Sequence, residues 1–254
     1  MIKTKANTLE KRVLILGAAP NATVPKAEVV YCANAASFYF SEKISGIPKV
    51  VSVVGEHLIA GVNESQAPLS LKKTRNAIFQ SKIHEMLILE HSPWFDGWNT
   101  DKGLQDAEDA CGSKPKTLLF SERAKLLKNT SGLTEPIFSY TLFAEAMRMN
   151  PWRFLRSSKT IIRDLCKKKA SNKVEMSPVL RPSTGIWAAI IAMDRHGPDA
   201  EYLISGIGLS ARANRLNHTD GSSQGRYEKF THHLHADIRI FRELERRYNV
   251  KVLQ

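Results

Sequence analysis

The chain has 254 residues, 43% of them hydrophobic, which supplies a full apolar core and excludes a wholly disordered segment. A net charge of +12 and a pI near 9.7 call for a polyanionic partner, which nucleic acid, anionic lipid headgroups or a nucleotide-linked substrate would each satisfy. No apolar run approaches the ~20 residues of a membrane span, and Met1 to Arg12 is too polar for a signal peptide, so the expected location is cytoplasmic, or peripheral at the inner face of a membrane.

In chain order, Arg12 to Leu16, Val29 to Cys32, Lys49 to Val54, Glu85 to Leu89 and Lys116 to Phe120 are short aliphatic or β-branched runs bounded by Gly, Pro or polar clusters. They alternate with helical patterns at Asn34 to Ile44, Leu69 to Gln80 and Ser139 to Met149, the last stopped by Asn150-Pro151. This is the rhythm of an α/β, Rossmann-like, doubly wound and mainly parallel sheet, and residues 1–254 read as one domain. His91 to Gly112, rich in Trp, Asp and Gly, reads as a long loop, and Ala170 to Pro182 as a polar connection.

The last quarter is more distinctive. Arg181-Pro182-Ser183-Thr184-Gly185 runs into the apolar helical segment Ile186 to Met193, which Gly197-Pro198 ends; Tyr202 to Ile207 then reads as a strand closing on Ser205-Gly206. Leu234, Ile238, Phe241, Leu244 and Tyr248 lie at helical spacing and give a final amphipathic helix. Between strand and helix, Ser210 to Thr231 is rich in Arg, Asn, His, Gly and Ser without apolar periodicity; a segment of that length after a strand end reads as a lid, spanning about 208–231.

Several of these segments carry candidate chemistry. A polar turn entering a helix presents backbone amides and hydroxyls to an anion, although Ser183 and Thr184 also serve as plain helix caps. Gly17-Ala18-Ala19-Pro20 with Asn34 forms either a nucleotide floor at two adjacent strand ends or a simple tight turn; it is not the Gly-x-Gly-x-x-Gly fingerprint of a dinucleotide fold. His232, His233 and His235 form a cluster in which an imidazole near neutral pKa suits deprotonation of a hydroxyl. No Asp-x-Asp string is present to hold a divalent ion on a diphosphate, and no third ligand joins the histidines, so no metal site is expected. Cys32, Cys111 and Cys166 are odd in number and widely spaced, which favours buried thiols over disulfides or zinc.

Three segments, in the right order, resemble the bacterial sialyltransferases of glycosyltransferase family 42. They are Val13 to Pro20 with Cys32-Ala33-Asn34 and Phe38-Tyr39-Phe40; Arg181, Thr184 and Gly185 with Ser205-Gly206-Ile207; and His232 five residues before Asp237 with Tyr248 to Val252. The resemblance covers about the first fifty and the last seventy-five residues. It implies a fold of the variant GT-A kind and transfer of an acidic sugar from a CMP donor to a glycan or glycolipid hydroxyl, inverting, metal-independent and without a further cofactor. It further implies donor contacts from Gly17, Ala18, Ala19 and Pro20, from Asn34, and from Thr184, Gly185 and Gly206. His232 becomes the general base, Arg181 a catalytic cation, and Asp237 orients the helix start or the base.

The chain departs from the family at Ala18, Gly208 and Ser210, where the family has Asn, Asp and Tyr; Tyr227, Arg212, Arg215 and Arg226 are the candidates to replace the phosphate-binding tyrosine. These departures leave room for another CMP-linked nonulosonic or ulosonic acid such as Kdo. Two alternatives stay open: a non-catalytic binding protein on the same fold, and a nucleotide- or nucleic-acid-binding module favoured by charge alone. Contact with an anionic membrane and homo-oligomer formation are further partner expectations.

Overall fold

A computed structural model describes residues 11–59, 69–89, 100–133, 182–209 and 227–253. A strand buried on both faces must send alternate side chains into two apolar layers. In β1 (Arg12–Leu16) Val13 and Ile15 enter one layer while Leu14 and Leu16 enter the other. The same alternation runs through β2 (Val29–Ala33), β3 (Lys49–Gly55), β4 (Glu85–Leu89) and β6 (Glu201–Ser205). With β5 (Lys116–Leu118) and β7 (Asn249–Leu253) at the edges they form one seven-stranded sheet, ordered β5-β4-β3-β2-β1-β6-β7. Every pairing in it is parallel.

Helices cover both faces, giving the α/β, Rossmann-like arrangement that the alternating pattern predicts. Beneath one face lie α1 (Ala36–Tyr39), α2 (Ser41–Ile44), α3 (Glu56–Ile59), α4 (Leu69–Phe79) and α5 (Thr100–Cys111), whose Phe40, Ile44, Ile59, Ile78 and Ala107 neighbours share a core with Leu14 and Val30. Over the other lie α6 (Phe120–Ser131), α7 (Thr184–His196) and α8 (Tyr227–Arg247). Helix α7 is central: Gly185 to Met193 are all buried, between the sheet and its two neighbouring helices. That explains an apolar sequence with no polar stripe. Full burial of Ile186, Trp187, Ile190 and Ile191 contributes on the order of 1.5–3 kcal/mol per side chain. Ser183 begins the helix and Gly197, at φ 73°, ends it.

Several sequence expectations shift. The loop expected over His91 to Gly112 contains α5, whose Leu104, Ala107 and Cys111 pack toward the lower core at helical spacing; loop-like Asp and Gly content masked that periodicity. The helix expected over Asn34 to Ile44 is two short helices, because Phe40 turns inward at φ −114° and ψ 19° between them. The strand expected to reach Phe120 ends at Leu118, and Phe120 opens α6, whose start is held by the Leu119 amide donating to Glu122 Oε2 at 2.9 Å. Residues 227–231, expected in the lid, are the first turn of α8, and at the other end Gly208 is buried while Leu209 packs on the core. The rest of the expected lid, the expected helix Ser139 to Met149, Cys166 and Arg181 lie outside the described residues. Among those described, no helix is long and apolar enough to cross a membrane.

Candidate functional site

The strand order dictates where a crevice must form. From β1 the chain steps outward through β2, β3, β4 and β5, then returns to the other side of β1 to lay down β6 and β7. At the carboxyl ends of β1 and β6 the connections leave in opposite directions, and this switch point is where open α/β sheets bind ligands. Gly17 to Pro20 leave β1 there, and Gly206 leaves β6 beside them.

The two strand ends are tied by backbone. The Gly17 amide donates to the Ser205 carbonyl at 2.8 Å and the Ala19 amide to the Gly206 carbonyl at 3.3 Å. Farther along, the Thr23 amide donates to Ser205 Oγ at 2.9 Å, closing the loop over β6. A Cβ at Gly17 would stand 2.1 Å from the Gly206 carbonyl oxygen, and Gly206 itself sits at φ 67°. Packing alone therefore demands both glycines. The loop is a floor laid against β6 and not a cradle of free amides, because two of its amides are already spent on β6. Ser205, marked in the sequence as part of the Ser205-Gly206-Ile207 strand end, is the residue that pins it.

Two further expected residues reach the same edge. Asn34 follows β2 in the left-handed region at φ 51°, its amide donating to the Val53 carbonyl at 2.9 Å. Its Oδ1 is buried with no hydrogen-bond partner among the described residues, as are the hydroxyls of Ser37 and Ser52. A buried acceptor left unmade costs about 1–3 kcal/mol, so such an atom marks a place where a ligand or water group fits. Helix α7 runs antiparallel to the strands and delivers its N-terminus to this edge; a Cβ at Gly185 would come within 3.1 Å of the Ile207 side chain just past β6.

The α7 N-terminus carries the electrostatics of the site. Ser183 is the N-cap, its Oγ accepting from the Ile186 amide at 3.4 Å. The Ser183 amide donates to Asp237 Oδ1 on α8 at 2.8 Å. The amides of Thr184 and Gly185 have no intrahelical acceptor and no partner among the described residues, so they keep bonding capacity, while the Asp237 carboxyl already lies at the positive end of the helix dipole. Burial pushes the Asp237 carboxyl up to about 6, against the bonds from Ser183 that favour its charged form.

Gly17 to Pro20, Asn34, Thr184, Gly185 and Gly206 thus share the carboxyl edge of the sheet, with Gly17 against Gly206 and Gly185 against Ile207 as the direct contacts. His232 is the sixth residue of α8 and not at its very start; its side chain, and those of His233 and His235, lie outside the described residues. A five-residue step turns about 140° around a helix, which puts Asp237 and His232 on different sides of α8. Asp237 consequently serves the start of α7. Among the described residues no three His, Cys, Asp or Glu side chains form a metal-holding group. No family model, curated protein or solved structure matches this chain.

Proposed function

We propose that the chain is a glycosyltransferase of the variant GT-A kind that moves an acidic sugar, a sialic acid or a related nonulosonic or ulosonic acid such as Kdo, from a CMP donor to a glycan or glycolipid hydroxyl. The observation that carries this reading is the meeting, at one switch point, of two of the three segments whose motifs resemble family 42: the Gly17 to Pro20 floor, and the Thr184-Gly185 helix start with the Ser205-Gly206 strand end. In this reading the nucleotide lies on the floor with Asn34 at its side, and the single phosphate faces the Thr184 and Gly185 amides, which stabilise the charge that grows as CMP leaves. His232 takes the proton of the acceptor hydroxyl. The acceptor oxygen bonds the anomeric carbon as the bond from that carbon to the phosphate oxygen breaks, CMP departs with the electron pair, and the anomeric configuration inverts. Arg181 supplies further positive charge. The reaction runs without a divalent ion, in the cytoplasm or at the inner face of an anionic membrane that the chain's net charge of +12 favours.

A panel of CMP-linked acidic sugars tested by thermal shift, followed by CMP release with and without EDTA, decides the matter. A ligand that binds only the folded state raises its melting temperature. The expected outcome is a shift with at least one CMP-sugar and CMP release that survives chelator. Binding to RNA or DNA stronger than to any CMP-sugar would replace the reading with a nucleic-acid module, and binding without turnover on any acceptor would replace it with a non-catalytic fold.

A further inference from the structure

We infer that Asp237 is a positioning residue: by accepting the Ser183 amide it locks the start of α7 to α8, so that the Thr184 and Gly185 amides and the helix bearing His232 keep one relative geometry. This rests on the proposed function for its catalytic meaning, but the lock itself is a matter of geometry. Asp237 is 3% exposed, and its Oδ1 lies 2.8 Å from a nitrogen 54 residues earlier in the chain. The helix does not need this bond as a cap, since Ser183 already accepts from Ile186. What the bond adds is a polar tie between two helices that also share an apolar cluster, to which Ile240, Phe241 and Leu244 contribute from α8. Apolar packing is non-directional and tolerates sliding, whereas a hydrogen bond of this length fixes both distance and angle.

A carboxylate buried this deeply is unfavourable unless it is paired, and among the described residues Asp237 has no ion-pair partner. Burial holds its carboxyl near 6, although the Ser183 bonds and its place at the positive helix end both favour the charged form. A stability role would be met better by an apolar residue; retention of an acid here at the mouth of the α7 anion site serves placement. The lock depends on an acceptor oxygen at the correct reach, not on charge.

Two variants of the full chain separate the possibilities. Asp237→Asn keeps the reach and an acceptor oxygen without the charge; Asp237→Glu keeps the charge and moves it by one methylene. Binding of CMP by titration calorimetry and kcat and KM for the donor are measured for both, with thermal unfolding as the check on folding. The lock predicts Asp237→Asn within about threefold of wild type, and Asp237→Glu weaker in CMP affinity by about tenfold with a larger fall in kcat/KM, since misplacement of the order of 1 Å costs up to ~100-fold. The reverse order, or Glu equal to wild type, overturns the lock in favour of charge or of no role. If wild-type protein neither binds nor releases CMP, the function fails while the lock is still read directly. Amide hydrogen exchange at Ile186 and Trp187 should then quicken in Asp237→Glu and stay at the wild-type rate in Asp237→Asn; equal rates in all three proteins would overturn it.

Discussion

The two edges of the sheet are built on opposite principles. At the amino edge charged groups are paired: Glu201 on β6 takes Arg12 of β1 at 2.6 Å and Lys251 of β7, and Glu85 on β4 takes Arg195 of α7 at 3.0 and 2.8 Å and Lys49 of β3 at 3.3 Å. Tyr31 and His196 join there through a 3.0 Å bond, and burial together with the nearby Lys11, Arg195 and Lys49 charges holds that imidazole neutral, down to about 4. At the carboxyl edge polar groups are left open among the described residues: the Asn34 Oδ1 and the Thr184 and Gly185 amides, beside a buried Asp237 carboxyl bonded to Ser183. Backbone-to-backbone contact brings Gly17 against Gly206 there as well, with positive φ at Asn34 and Gly206. Closed polar networks stabilise, and open, strained ones keep bonding capacity for a ligand.

The contrast breaks most readily at Gly17. Gly17→Ala drives a methyl into the Gly206 backbone, which cannot rotate away as a side chain can, and is expected to cost about 3 kcal/mol or more. Denaturant unfolding measures it; a near-neutral result would mean that the two strand ends are not in contact. His232→Ala tests the chemistry without the scaffold and is expected to slow turnover by roughly a hundredfold with donor affinity retained. His233→Ala and His235→Ala serve as controls, and loss of activity in either of them with His232→Ala near wild type would move the base.

Acid separates the edges by sign. Asp237 titrates at about 6 in the fold against 3.8 as an ordinary carboxyl, so the folded state binds the extra proton and stability rises as pH falls from about 6 toward 3.8, by roughly 2–3 kcal/mol in all. Glu201 is held below its ordinary 4.5 by the Lys251 and Arg12 bonds, so its contribution is present above that value and is lost as pH falls below it. Unfolding free energy followed across this range in wild type and Asp237→Asn should differ in slope between pH 6 and 4; parallel curves would remove Asp237 as the titrating group. The smallest effect is expected at the amino edge itself. Glu201→Gln weakens pairs whose cations are half exposed, costs less than about 1 kcal/mol and leaves CMP affinity unchanged.

Much of this architecture was readable beforehand because it rests on local pattern. Arg12 to Leu16 and Glu85 to Leu89 are mainly apolar runs of strand length between breakers, and their strands begin and end where the runs do. Ser183 and Gly197 bracket α7 because a hydroxyl at one end and a residue free to adopt positive φ at the other satisfy helix termini by short-range chemistry. Helix α5 was hidden, since its apolar positions are sparse and emerge only against the core that receives them.

The residues alone determined the alternation of strand and helix, the parallel character that follows from it, and the small set of turns able to meet a ligand, since each depends on neighbours a few positions away. Tertiary structure alone decided that β6 returns beside β1, that Gly17 and Gly206 are glycines because of each other, and that Asp237 reaches the start of α7 and not the histidine five residues before it. These are contacts between segments some 50 to 190 residues apart. No local periodicity encodes such contacts; they arise when separate apolar faces find one common core.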